Sequence, residues 1–494
     1  MRCGLLLAVA ALSGCVEATI GLDGAFPAGA PDGAAGDADA GASDATARDD
    51  AATHDAGVFL DSGCPAGTST VRGTIGTTYF GERATTRLSD LSATPFAALV
   101  ETSTDGDFDR YEGRGSADGT FEIPCVPDGQ YMLEEKEFPT SASYTVTSSR
   151  TYERRTYARG RADSVVASSG TGLLIDIAGL DPWRDGGSWS IALPHGLHAL
   201  PRLELGETST AGLMVPVPFR LDIAKGDRVT LLQTVTATSP SGQTYTYVSR
   251  VRSVALATRD GEVELLDEML VEPPTGRLSL DWRLPEFAAQ ASELAPVSRI
   301  GSFTLAVESV PAIATGHVPP LPWDKHIEVL TLTTTTADHD VRVELPLPRP
   351  VPGERLVVVV RVYIDQFPTS WFPTLLSAPL SDARDVALSV RPELGAPQDL
   401  RLNGRRITTG AGATPLLSWT PPSLGRALRY SGFLLDSTTG RVTSFDTPET
   451  QFRMPPGRLT PGHPHAAGVS SRSTSRVLEL DVSRGAADYG PIVP

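Results

Sequence analysis

The chain has little lysine and no long apolar run, and both absences exclude classes of partner. Only three of the 494 residues are lysine, and 59 acidic residues against 42 basic ones leave a formal net charge of −17. Contacts with phosphate need clustered lysine and arginine, so we expect no nucleic-acid partner. No stretch reaches the 18 apolar residues that a membrane-spanning helix needs. We therefore expect no transmembrane helix.

Local signatures of catalysis and of cofactor binding are also missing. The sequence has no His-Glu-x-x-His, Cys-x-x-Cys or Gly-x-Ser-x-Gly motif, and no glycine-rich phosphate loop that ends in Lys-Ser/Thr. His195 with His198, and His463 with His465, have metal-ligand spacing, but neither pair has an acidic or thiol partner close in sequence. We interpret all eight histidines as surface or loop residues. The sequence thus predicts no catalytic residue, no metal site and no cofactor.

Glycine and proline are abundant, and the segments between them are short. The 47 Gly and 40 Pro favour turns over long helices. Residues 341–345 alternate apolar and charged side chains, and residues 356–363 are rich in valine, as expected of strands. Residues 286–294, short and alanine-rich, are the best candidate for a helix. These patterns predict an all-β fold of tandem antiparallel β-sandwich domains.

The first fifteen residues have the layout of an export signal. Arg2 precedes an apolar run over residues 5–12, which is too short to cross a bilayer. Leu12-Ser13-Gly14-Cys15 resembles the lipobox of bacterial lipoproteins, whose signal peptidase cuts before a cysteine that carries diacylglycerol. The resemblance implies that the mature chain begins at Cys15 and is held on a lipid bilayer by acyl chains there. An ordinary secretory signal cleaved nearby, with Cys15 incidental, is the alternative.

The residue after the cysteine indicates in which membrane the lipoprotein is retained. In lipoproteins of Gram-negative bacteria, Asp at this position retains the protein in the inner membrane, and here the residue is Val16. The resemblance therefore implies the outer membrane, on its periplasmic face or at the cell surface.

Residues 16–63 form an acidic segment of low complexity. The segment holds nine Asp, Glu17 and a single basic residue, Arg48, and so carries −9 of the total charge. Most of it cannot bury enough apolar area to offset the entropy cost of ordering. We expect a disordered tether that lifts the folded domains off a membrane surface. An acidic tail that binds cations is the alternative.

The first folded unit contains two predicted turns between strands. Asp118-Gly119 suits a tight turn, after which Phe121, Ile123, Tyr131 and Leu133 all point to one core face. This pattern resembles the carboxypeptidase regulatory-like domain, a prealbumin-type β-sandwich found on many exported bacterial proteins. Such domains are modules rather than catalysts in that family, so the resemblance implies a non-catalytic role.

The last unit resembles a fibronectin type III-like sandwich. Residues 416–422 look like the strand that bears the core tryptophan, here Trp419, and residues 430–435 look like the next strand. Residues 459–462 look like the turn before a later strand. The tyrosine that usually follows this turn is missing, because His465 stands there.

Between these two units the sequence resembles no family that we recognise, and the block is too long for one sandwich. We therefore divide the chain into six parts: a lipoprotein signal peptide (1–15), the tether (16–63), the regulatory-like sandwich (64–165), a β-domain (166–290), a β-sandwich (291–395) and the fibronectin type III-like sandwich (396–494).

Cys64 and Cys125 are the only cysteines expected in the soluble part of the mature chain. Export would place them in an oxidising compartment, where an even pair normally closes. The predicted disulfide would pin the exit of the tether onto the first sandwich. Two unpaired thiols are the alternative.

Two further clusters have both a ligand-binding interpretation and a simpler one. Asp105, Asp107 and Asp109 alternate as calcium ligands would, but Arg110 stands where an EF-hand loop needs glycine, so a solvated acidic turn is favoured. Three aromatic rings in residues 365–373 could stack on a sugar or grip a partner. More often such rings close the end of a sandwich core.

These patterns together predict a membrane-anchored exported lipoprotein that acts as a non-enzymatic binding or structural module array. Its partner would be a protein or a polysaccharide. The alternative is a carbohydrate-active or other hydrolytic enzyme whose site is assembled from separated loops. A deep pocket with paired carboxylates about 5 to 9.5 Å apart would favour the enzyme.

Overall fold

The structure is a computed structural model of the chain. It describes residues 19–20, 63–81, 84–103, 106–138, 141–194, 196–294, 299–311, 326–366, 369–371, 374–405, 412–460, 462–472 and 481–487. The predicted export signal with Cys15, and all of the predicted tether except residues 19–20 and 63, lie outside these residues. In the described part, no helix is long and apolar enough to span a membrane. Strands account for nearly all regular structure, so the all-β prediction is confirmed.

In the described residues the first unit contains eight strands, and a two-residue strand of the preceding segment pairs with the last of them. Their bounds are β1 (Thr19–Ile20), β2 (Thr68–Phe80), β3 (Ala84–Leu88), β4 (Pro95–Glu101), β5 (Phe108–Gly115), β6 (Thr120–Pro127), β7 (Tyr131–Phe138), β8 (Ser141–Thr147) and β9 (Thr151–Arg159). The path β9-β2-β6-β5-β4-β7-β8 is continuous, but β5 and β6 pair over only two residues. The sheet therefore splits at this point into two layers.

The core of the first unit lies between these layers, as the sequence predicts. Phe121 and Ile123 of β6 are buried together with Tyr131 and Leu133 of β7. The ring of Phe121 stacks on a phenylalanine of β4 with centroids 4.3 Å apart. Gly119 has a φ of +81°, the left-handed conformation that its predicted turn requires. The predicted turn and core face are both confirmed.

The second unit is a sandwich of two sheets around Trp183 and Trp189. Its strands are β10 (Gly172–Ala178), β11 (Ser188–Leu193), β12 (Gly196–Ala199), β13 (Thr210–Pro216), β14 (Arg228–Thr238), β15 (Thr244–Ala255) and β16 (Val263–Met269), with a 3₁₀ turn at Ile223–Lys225. One sheet has the order β13-β10-β16, and the other begins β12-β11-β14-β15.

The third unit contains the one α-helix of the described chain. Its elements are β17 (Thr275–Trp282), α1 (Leu284–Leu294), β18 (Arg299–Pro311), β19 (Ile327–Thr334), β20 (Val341–Pro348), β21 (Glu354–Gln366), β22 (Thr369–Trp371), β23 (Thr374–Pro379) and β24 (Asp385–Val390). The helix begins two residues before the predicted segment.

The predicted limit between residues 290 and 291 does not match the packing of the third unit. Strand β17 pairs with β20 and β24, and its Trp282 packs with Phe287 of α1 in the core of this unit. A domain boundary after residue 290 would cut α1 and would separate β17 from the unit whose core it belongs to. The core of the third unit therefore starts at β17.

The last unit is a sandwich in which a three-stranded sheet packs against a four-stranded one. Its strands are β25 (Gln398–Leu402), β26 (Leu416–Thr420), β27 (Arg429–Asp436), β28 (Val442–Thr447), β29 (Gln451–Arg453), β30 (His465–Arg472) and β31 (Asp481–Ala487). Trp419 of β26 is buried and packs on Tyr430 and Phe445, at centroid distances of 5.3 and 6.0 Å. The predicted core tryptophan is confirmed.

Two sheets continue from one unit into another. Strand β15 of the second unit pairs antiparallel with β19 of the third over Tyr245–Tyr247, which forms a nine-stranded sheet. Strand β8 of the first unit pairs in parallel with β28 of the last, from Ser141 opposite Val442 to Thr145 opposite Asp446. The units are thus joined by main-chain hydrogen bonds as well as by linkers.

Candidate functional site

A cleft of about 600 Å³ opens where the first three units meet. Phe80 and Arg159 line it from the first unit, Asp227 and Arg228 from the second, and Glu354 from the third. Concave sites between domains are common places for ligands, so this cleft is the candidate site.

The two carboxylates of the cleft are each bonded to an arginine of the first unit. Arg159 contacts both carboxylate oxygens of Glu354, at 3.1 Å from Nη2 to Oε2, and Ser309 Oγ donates to Oε2 at 2.6 Å. Arg161 Nε and Nη2 each donate to an Asp227 oxygen at 2.8 Å. Both carboxylates therefore act as acceptors for bidentate arginine, and the pairs connect different units.

A second cluster of buried charges joins the first unit to the last. Glu134 of β7 accepts from Tyr144 Oη at 2.7 Å and pairs with Arg110 at 2.5 Å, and Arg458 of the last unit contacts the same carboxylate. Burial raises the pKa of Glu134, but the hydrogen bonds of Tyr144 and Arg110 and the two arginine charges hold it below its usual value. The carboxylate is thus kept ionised between two cores.

A third buried carboxylate lies in the third unit. Glu308 of β18 is bonded to Arg361 of β21 and to His326 Nδ1, which precedes β19. Burial raises its pKa, and the contacts with His326 and Arg361 outweigh that effect and lower it. His326 is largely buried but lies in the loop before β19, so it fits the interpretation of the histidines as surface or loop residues.

Of the two histidines near the end of the chain, His465 departs from that interpretation, because it lies in β30, and His463 lies in a loop. His465 is fully buried, and its ring lies 3.9 Å from Asp436 Oδ2. His463 Nδ1 lies 2.8 Å from the same oxygen; because a carboxylate only accepts, Nδ1 carries the proton. The acidic partner that is missing nearby in sequence is supplied by the end of β27.

Asp436 also closes the turn that follows β27. Its Oδ1 accepts the backbone N–H of Thr438 and Thr439 at 2.9 and 3.0 Å. Burial alone raises the pKa of Asp436, but the bonds from His463 and these two amides lower it well below the usual value. This arrangement holds the 463–465 segment against the turn.

The structure describes only some of the other predicted site residues. Asp107 is exposed and accepts from Ser103 Oγ at 3.0 Å, Asp109 is exposed on β5, and Asp105 lies outside the described residues. In the described ranges, no group of three or more His, Cys, Asp or Glu could hold a metal ion. Calcium binding by these residues stays the untested alternative to a solvated acidic turn. The side chains of residues 365–373 and His195 also lie outside the description.

Cys64 and Cys125 form a disulfide with Cα atoms 5.1 Å apart, as the sequence predicts. Cys125 has a φ of +53°, a left-handed conformation that costs a residue with a side chain about 1 kcal/mol or more. The register between β2 and β6 shifts at this point, so a bulge places the cysteine. The bridge stabilises this bulge.

No protein-family model matches this sequence, and no curated protein is similar to it. Three solved structures are similar in part, each with a TM-score of 0.14. They are a two-domain fibronectin type III segment of chicken tenascin (17% identity; 36% of this chain and 78% of that one), the FN1–FN3 domains of chicken CNTN1 (9%; 81% and 88%), and a tetra-tandem repeat in the extending region of a large adhesion protein (13%; 84% and 99%). At such scores the likeness carries no argument about function, and the sandwich fold rests on the strand pairing and cores above.

Replacing Cys64 and Cys125 together with serine is expected to lower the free energy of unfolding by roughly 4 kcal/mol, because the bridge spans 61 residues. Urea denaturation of both proteins measures this loss. Mass spectrometry of the alkylated, unreduced wild type is the direct check, and free thiols at both Cys64 and Cys125 would rule the bridge out.

Asp436→Asn is expected to destabilise the protein at pH 7 and to have less effect in acid. A carboxyl whose pKa is lowered by folding contributes stability above its unfolded pKa of about 3.9, and this stability is lost as the pH falls through the folded pKa. Urea denaturation at pH 7 and pH 3 measures the difference, with the exposed Asp185→Asn as control. An equal effect of Asp436→Asn at both pH values would contradict this account.

Proposed function

We propose that the protein is exported, acylated at Cys15 and held at the outer membrane as a non-enzymatic array of binding or structural β-modules. The lipobox resemblance supports the anchor, and the acidic segment 16–63 supports a spacer between membrane and modules. The partner in this proposal is a protein or a polysaccharide.

The observation that carries the non-enzymatic role is the use of buried charge. Arg159 with Glu354, Arg161 with Asp227, and Arg458 with Glu134 connect different units, instead of presenting free acids to an open pocket. Such pairs fix the orientation of modules relative to one another. A rigid array is suited to holding a binding surface at a set place.

The family resemblances of the two terminal units belong to the same proposal. The core face of Phe121 and Ile123 supports a regulatory-like domain in the first unit, and buried Trp419 supports a fibronectin type III-like domain in the last. The regulatory-like family is used as modules on exported proteins, which agrees with an array.

A hydrolytic enzyme is the competing proposal, and the three-unit cleft is where its site would lie. We expect no turnover in a broad hydrolase screen, because Asp227 and Glu354 are each bonded to an arginine. Turnover that Asp227→Asn or Glu354→Gln abolishes, without a change in melting temperature, would favour the enzyme instead.

The anchor is tested by Cys15→Ser with Cys3→Ser as its matched control, since Cys3 lies within the signal. Wild type and Cys3→Ser are expected to partition with the outer membrane and to take up labelled fatty acid. Cys15→Ser is expected to lose both properties, because it lacks the acylated thiol. If Cys15→Ser still partitions with the membrane and the wild type takes up no labelled fatty acid, the assignment of the anchor to Cys15 is wrong.

A further inference from the structure

The sheet β13-β10-β16 of the second unit carries an exposed apolar face. Along β10 the inward residues are buried in the core, and the outward residue Leu174 lies opposite Met214 on one side and Leu265 on the other. Met214 and Leu265 are 51% and 56% exposed, and Val263 and Met269 of β16 are also exposed. Large apolar side chains in a contiguous, uncovered row typically mark an interaction surface.

Strand β16 is an edge of this sheet in the described chain. The Glu262 carbonyl accepts from Gly172 N–H at 3.2 Å, and Leu270 N–H donates to the Ala178 carbonyl at 3.0 Å, so even-numbered residues bond to β10. Successive residues of a strand direct their backbone groups to opposite sides. The odd-numbered residues 263–269 therefore direct their N–H and C=O groups to the open edge. An apolar edge of this kind is a template for pairing with another strand.

One row of this face is acidic and lacks a counter-charge. Asp176 of β10 lies directly opposite Asp267 of β16, and like charges in this position destabilise a sheet. Asp176 accepts a backbone N–H from Gly212 at 2.7 Å. In the part of the chain that the structure describes, neither carboxylate has an arginine or lysine partner; Arg252, on the neighbouring β15, is bonded to Glu268 instead. A cation from outside would relieve this repulsion.

We propose that the open edge of β16 takes up an extended segment of another protein as an added strand. The segment places a basic side chain opposite Asp267 and apolar side chains beside Val263 and Leu265, at the two-residue spacing of a strand. Backbone hydrogen bonds give the affinity, and the basic residue fixes the register. This inference concerns the second unit alone and holds whether or not Cys15 is acylated.

A second copy of this chain fits the edge less well. Strand β16 contains no basic residue. An antiparallel two-fold pair centred on Leu265 sets Asp267 opposite Val263, and one centred on Asp267 sets the carboxylate opposite itself. Neither register supplies a cation, so charge complementarity favours a different protein as occupant.

The test uses the full chain and two fluorescent nine-residue peptides. The first peptide is Thr-Val-Thr-Val-Thr-Arg-Thr-Val-Thr. In the second peptide, Glu replaces the Arg. We expect fluorescence anisotropy to show about fivefold tighter binding of the arginine peptide, from the cross-strand charge pair. Asp267→Arg is expected to reverse this preference, because the repulsive and attractive pairs are exchanged.

Two variants distinguish strand addition from nonspecific binding to the apolar face. Leu265→Pro removes an N–H at the open edge without removing a bond to β10, so binding of the arginine peptide is expected to be lost while the melting temperature stays close to that of the wild type. Met214→Thr, on the far edge of the same face, is the matched control and is expected to leave binding unchanged. If Leu265→Pro does not fold, the reversal by Asp267→Arg decides the question.

Three outcomes would overturn the proposal. The first is binding of neither peptide, or equal binding of both, by the folded wild type. The second is self-association of the wild type in sedimentation that Leu265→Pro removes, which would assign the edge to a second copy. The third is wild-type binding to vesicles of phosphatidylethanolamine and phosphatidylglycerol that Leu265→Pro removes, which would assign it to a membrane.

Discussion

The buried carboxylate of Glu134 is the group on which the joint between the first and last units depends. It leaves β7 on the face opposite to Leu133, so it lies toward the core of the last unit rather than that of its own. An unpaired ion in such a place costs several kcal/mol, and removing one partner of a buried pair costs about 3–5 kcal/mol. Tyr144 and Arg110 from the first unit and Arg458 from the last all contact it. The carboxylate is therefore stable only when both units are in place.

The sheets also cross the limits of the units. Met132 and Tyr144 of the first unit belong to the core that contains Trp419 and Phe452 of the last. Strand β8 thus supplies a wall of that core, and its parallel pairing with β28 continues the wall across the joint. The second and third units are connected in a similar way through β15 and β19. The fold is a set of sandwiches that share walls, and in the described chain β16 is an open edge of the second unit.

Those parts of the fold that depend on local pattern could be predicted from the sequence. The turn at Gly119, the alternation of Phe121 and Ile123, and Trp419 within a short strand each leave a signal within a few residues. The bond between Arg458 and Glu134 joins residues 324 positions apart, and Asp436 reaches His463 across 27 positions, so neither leaves a local pattern. One signal was available in the sequence. Three successive apolar residues, Tyr131-Met132-Leu133, indicate a strand that is buried on both faces, and a charged residue directly after them needs a partner.

The most direct test of the shared wall is hydrogen exchange of the full chain, followed by mass spectrometry of peptides covering 141–147 and 442–447. If β8 and β28 pair, the amides between them exchange only when the joint opens, so both peptides should be protected to a similar degree and should lose protection together in Glu134→Gln. Rapid exchange of 442–447 beside a protected 141–147 in the wild type would contradict the account.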